Sequence, residues 1–112
     1  MITKDLLVVG GLNKLSIINV NNYSLDRIIE LTNTCIFGFC MIDENIFLTG
    51  DNNGVIIQWK IEGNNIIEIS RKDKAHSDSI YTLIRIGNGL IASGSCDKSI
   101  KIWWNINKKK KI

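Results

Sequence analysis

The chain repeats itself. Residues 46–59, IFLTGDNNGVIIQW, and residues 90–103, LIASGSCDKSIKIW, align without a gap, with Gly50 against Gly94 and Trp59 against Trp103, an offset of 44. A weaker copy, LLVVGGLNKLSIIN at residues 6–19, lies 40 residues ahead of the second, Gly10 against Gly50. Each copy is two short apolar runs around a polar turn, which predicts a β-hairpin. A unit that recurs at this spacing cannot bury its apolar faces alone, so the chain must build its core by stacking copies.

Composition fits that reading. The 22 Ile and 13 Asn, with no Pro, favour strands separated by turns and serve helices poorly. At 112 residues and 45% apolar, the chain has room for one modest domain and is too apolar to stay disordered. Its formal charge of +3 rests on the tail Lys108 to Lys111; without those four lysines the balance is −1. That body, with 7% aromatic residues, offers no basic groove with interleaved stacking residues, so no nucleic-acid partner is expected. The longest apolar run, residues 35–42, is far short of a membrane span, which needs roughly 18 residues, and no membrane partner is expected. Lys4 and Asp5 cancel ahead of residues 6–12, which does not suit a signal peptide. Three cysteines, Cys35, Cys40 and Cys96, are an odd and sparse set that fits a reducing compartment, the cytoplasm, with the nucleus as the alternative.

The last copy carries a resemblance. Its Ser93-Gly94-Ser95-Cys96-Asp97 turn, Trp103, and Ala75-His76 upstream resemble the WD-repeat family, whose four-stranded blades of about 40–45 residues form β-propellers. Ala75 replaces the usual Gly, and Trp103-Trp104 replaces Trp-Asp. The second copy keeps Thr49 and Trp59 but has Asn53 at the turn acid and no His near position 32. In the first copy Val9, Asn13 and Asn19 occupy the Ser, Asp and Trp positions.

The resemblance implies an all-β fold of antiparallel four-stranded blades, about two and a half of them, in an incomplete ring. Blade one is expected at about 5–30, with strands near 5–9, 15–20 and 25–30. Blade two is expected at about 34–70, with strands near 34–41, 46–49, 55–61 and 66–70. Blade three is expected at about 76–104, with strands near 79–86, 90–93 and 99–104. The partial propeller then occupies 1–107 and the basic tail 108–112. Arg71-Lys72-Asp73-Lys74 reads as a solvated link between blades, and Gly87-Asn88-Gly89 as a tight hairpin. Ring closure takes at least about four blades, so the chain is expected to be a fragment of a larger propeller, or to be completed by itself or by a second chain through its open blade edges.

His76, Ser93 and Asp97 are the residue types of a hydrolase triad, but no nucleophile elbow surrounds Ser93. In the resembled family these positions, with Trp103, form a buried hydrogen-bond network, of which Thr49 and Trp59 are the blade-two remnant. No catalytic residue is therefore expected. Cys35 and Cys40, five apart on a strand, point to opposite faces, and His76 with Cys96 gives at most two ligands, so neither a metal nor an organic cofactor is expected. Gly10-Gly11-Leu12-Asn13-Lys14 lacks the spacing of a phosphate loop. Of three readings for the lysine tail, nuclear import, anion contact and solvation, solvation leads.

The resemblance further implies a non-catalytic scaffold for protein or peptide partners. Carried over by position, the binding face comprises Asp78, Ser79, Tyr81 and Cys96, with Asn52 from blade two; Tyr81 is the expected anchor. Trp104 is expected to share a face with Ile100 and Ile102 and to serve assembly. The alternative is a structural half-propeller whose interface is that open edge.

Overall fold

The computed structural model describes residues 6–63, 65–87 and 89–104. All eight elements are strands: β1 (Leu6–Asn19), β2 (Ser24–Asp43), β3 (Ile46–Asp51), β4 (Ile56–Glu62), β5 (Asn65–Lys72), β6 (Ile80–Gly87), β7 (Leu90–Ser95) and β8 (Ile100–Trp104). β1 to β5 pair antiparallel in chain order; β6, β7 and β8 form a separate antiparallel sheet. The fold is all-β, a section of blade-like antiparallel sheets that does not close into a ring.

The hairpins of the two strong copies stand where the repeat places them. Phe47 pairs with Trp59 across β3 and β4, and Ile91 with Trp103 across β7 and β8, at the same 44-residue offset. The amino-terminal third departs from expectation. Of the ten strands expected, four merge into two, because the residues of 10–14 and 31–33 continue the strand pattern. Neither long run is straight: twenty residues at about 3.3 Å each would reach roughly 65 Å, whereas the molecule's longest dimension is 40 Å. The bends fall at Asn13 and Asn33, at φ 61° and 50°, a region that Asn enters more readily than most residues. The Asn13 side chain accepts the Thr34 N–H at 2.9 Å, tying one bend to the other. Residues 24–35 of β2 pair with β1, and residues 36–43 with β3. Arg71 and Lys72, expected in a link, still pair with Ile57 and Ile56 and end β5. Gly87 stands opposite Leu90, and Gly87 and Gly89 both have positive φ; Asn88 and the tail 108–112 lie outside the described residues.

The molecule has two cores, one on each side of the second unit. Alternation along β3 sends Phe47 toward the first unit, where it meets Val8, Leu15, Ile17, Ile57 and Trp59. Leu48 faces the other way and meets Cys40, Ile56, Ile80, Leu83 and Ile91. Every residue of β3 is consequently buried, and each large apolar side chain so placed contributes about 1.5–3 kcal/mol. Phe47 and Trp59 stack with ring centroids 6.2 Å apart, a pairing that adds about 0.5–1.5 kcal/mol. The β6–β8 sheet has such cover on one face. Its other face presents Ile84, Ile86, Ile100 and Ile102, with Ile100 77% exposed.

Candidate functional site

The β7–β8 turn and the segment before β6 meet at one imidazole. Burial leaves His76 2% exposed, so its ring nitrogens must be satisfied internally. Nδ1 lies 2.8 Å from Asp97 Oδ2 and 3.1 Å from Ser99 Oγ. Nε2 lies 2.7 Å from Ser93 Oγ, and that same oxygen is 2.8 Å from Trp103 Nε1.

Donor and acceptor counting assigns the direction of every bond. The ionised Asp97 carboxylate only accepts, so Nδ1 of the neutral ring carries the proton; Ser93 Oγ accepts the indole N–H, which only donates, and gives its own proton to Nε2. Nε2 is then the ring's acceptor, and the ring proton sits on Nδ1, donated to the Asp97 carboxylate and shared with Ser99. Asp97 is held further by the Ser77 N–H on Oδ2 at 3.1 Å, and by Ser99 N–H and hydroxyl on Oδ1 at 2.9 and 2.5 Å. These donors, the Ser99 hydroxyl first, keep its carboxyl well below the usual carboxylate range.

The second unit repeats the turn without the imidazole. Trp59 Nε1 donates to Thr49 Oγ1 at 2.9 Å, as Trp103 does to Ser93. Asn53, at the turn-acid position, turns its amide Nδ2 to the carbonyl of Asn33 at 2.8 Å. The turn's carboxylate has moved two residues upstream: Asp51 Oδ1 accepts the N–H groups of Asn53 and Val55 at 2.8 and 3.2 Å.

Four of the five expected binding residues lie in one row along the rim. Asn52 N–H donates to Cys35 O at 3.0 Å, and Cys96 N–H to Ser79 O at 2.9 Å, again 44 residues apart. Ser79 Oγ donates to Asn52 O at 3.3 Å, joining the second unit to the third. Asp78 accepts the Ser79 N–H and, through its carbonyl, the Ser95 hydroxyl. Tyr81 stands apart, without a bond to that row, at the bulge between Ile80 and Thr82 and 55% exposed. Trp104 is 38% exposed and also lines an apolar cleft of about 280 Å³ against Leu48 and Ile56 of the second unit. It therefore does not belong wholly to the open face of Ile100 and Ile102.

Sequence reasoning missed Ser99, Ser95 and Asp51. The signal lay in the offset itself: Asp51 and Ser95 are equivalent, and both accept the N–H of the residue two on. Among the described residues no cluster of three or more His, Cys, Asp or Glu could hold a metal ion. Burial pushes the Cys40 thiol up, away from the reactive thiolate.

No family model matches the chain. Echinoderm microtubule-associated protein-like 4 of Homo sapiens is 35% identical over 66 residues, 50% of this chain, and the Mus musculus protein matches equally. The chain spans about 7% of the length of these relatives. Among solved structures, a chain of the Mitotic Checkpoint Complex superposes with TM-score 0.73 at 21% identity, covering 91% of this chain and 31% of that one. The computationally designed Ika4 protein gives 0.69 at 18% identity, covering 93% and 62%. At such identities the structures speak for the fold alone: this is a propeller-like section, and the match over half the chain supports a WD-like one.

Proposed function

We propose that this chain is part of a WD-repeat-like propeller that serves as a non-catalytic platform for protein or peptide partners. The observation that carries this reading is the rim row of Asn52, Ser79, Cys96 and Asp78. It is polar, accessible and tied across the two units by the Ser79 hydroxyl on Asn52 O, and Tyr81 stands close in sequence as an aromatic anchor. A hydrolytic role has little support. Ser93 is 1% exposed and its oxygen is taken by both Trp103 and His76, so no acyl group can approach it. The test is Tyr81→Ala with Asp78→Ala: co-precipitation of a protein partner falls at least about tenfold, as for an interface anchor, while melting and mass in solution stay unchanged. Retention of the partner at full strength contradicts the reading.

The bare face of Ile84, Ile86, Ile100 and Ile102 favours a second reading, in which the section is completed by a second copy or another chain. In that case Ile102→Asp changes the mass measured by sedimentation equilibrium, and the rim variant does not.

A further inference from the structure

Where the third unit carries its imidazole, the second carries a cleft. It measures about 430 Å³, within the range of small-ligand sites. Thr32, Asn53, Val55 and Trp59 in its walls stand 44 positions before His76, Asp97, Ser99 and Trp103.

Its floor is Asp51, 2% exposed. Oδ1 is taken by the turn's two N–H groups, whereas Oδ2 has no hydrogen bond from the described residues. No wholly buried polar side-chain atom among them lacks a partner, so Oδ2 must open onto the cleft. The other polar groups there have acceptors to spare. Asn53 gives Nδ2 to Asn33 and keeps Oδ1; Thr34 gives its proton to Thr32 O at 2.7 Å and keeps its lone pairs. Glu30 adds a carboxylate at the exposed rim. Arg71, the one cation in the wall, is clamped by Glu68 through two bonds of 2.7 and 2.8 Å. Three carboxylates against one guanidinium leave the wall with an excess of two negative charges. Ile57 and the Trp59 ring supply an apolar side wall suited to an alkyl stem and a cationic head.

We propose that this cleft binds a cation of the ammonium or guanidinium class, with its head on Asp51 Oδ2 and its stem along Ile57 and Trp59. Donor-only heads match walls made of acceptors. Burial already pushes the Asp51 carboxyl up, against the pull of its two N–H donors and of Arg71, and a bound cation relieves that desolvated charge. The site stands whether or not the rim binds a partner.

The test is a titration of the full chain, followed by amide shifts, with n-butylammonium, n-butylguanidinium and the blocked tripeptides Gly-Lys-Gly and Gly-Arg-Gly. Saturable shifts are expected at Thr34, Asn53 and Val55, with none from butyrate. Tighter binding of the two butyl cations points to a small-molecule ligand, and tighter binding of the peptides to a basic side chain. Asp51→Asn weakens binding about tenfold or more, and Glu30→Gln about threefold; should the first fail to fold, the second decides. Absence of saturable shifts with all four probes, or variants that bind as the parent does, would overturn the proposal.

Discussion

The two turns that join β3 to β4 and β7 to β8 share a backbone and differ in chemistry. In each, the first residue's N–H reaches the carbonyl four residues on, and its carbonyl accepts the N–H three residues on: Asp51 with Val55 and Gly54, Ser95 with Ser99 and Lys98. Gly54 and Lys98 both sit at positive φ, 75° and 73°. The third unit divides the acceptor work between Ser95 and Asp97, which frees Asp97 Oδ2 for His76. The second unit gives all of it to Asp51, and with Thr32 in place of the imidazole a cleft is left. Turn geometry is thus dictated by the backbone and the Gly, Asn and Asp pattern, while the lock within a unit depends on where one carboxylate stands.

The two turns part most sharply at Gly54. Gly54 O accepts the His76 N–H at 3.1 Å, and a Cβ on Gly54 would run into the His76 carbonyl. Gly54→Ala is expected to cost about 3 kcal/mol, from positive-φ strain and backbone collision together. Lys98→Ala, at the equivalent position with a side chain already tolerated, changes stability by less than about 0.5 kcal/mol. Urea midpoints of the two variants measure the contrast.

Next come the hydroxyls beneath the two tryptophans. Ser93→Ala strands both the Trp103 N–H and His76 Nε2, at about 2–3 kcal/mol, whereas Thr49→Ala strands the Trp59 N–H alone, at about 1 kcal/mol. Equal losses by thermal unfolding would contradict a lock that is complete in one unit and partial in the other.

The two carboxylates also predict opposite responses to pH. Asp97, held below its ordinary 3.8 by hydrogen bonds, lends stability that is full above 3.8 and is lost as pH falls through its lower folded value. Asp51, raised from 3.8 by burial, contributes in the other direction: its share is full below 3.8 and is lost as pH rises through its higher folded value. Asp97→Asn should therefore flatten the acid limb of the stability profile, and Asp51→Asn should remove a decline above pH 3.8. A small gain belongs to Lys98→Gly, which relieves positive-φ strain at the cost of backbone entropy and should stabilise by about 0.5 kcal/mol.

Much of this architecture is legible in the 44-residue offset, because apolar alternation and turn residues act locally and recur with the unit. The β3–β4 and β7–β8 hairpins are of that kind, as is the line from His76 to Trp103. Less legible is the first unit. Its strands run on through Asn13 and Asn33, whose left-handed conformations are fixed by a bond from Thr34 to Asn13 that spans 21 residues, and no local pattern announces it. Asp51 was obscured for another reason. With Asn53 at the turn-acid position, nothing local marks a carboxylate two residues upstream as its stand-in. Its burial, 2% exposed, becomes evident only once the first unit is packed over it.

A continuous line of donors and acceptors locks the third unit, with the ring proton on Nδ1. His76 is the chain's single histidine, so a long-range ¹⁵N spectrum of the folded protein contains one imidazole. The lock requires a protonated Nδ1 and an unprotonated Nε2, with the Trp103 indole N–H protected from exchange and disturbed by Asp97→Asn. A proton on Nε2, or an imidazole averaging freely between tautomers, would contradict it.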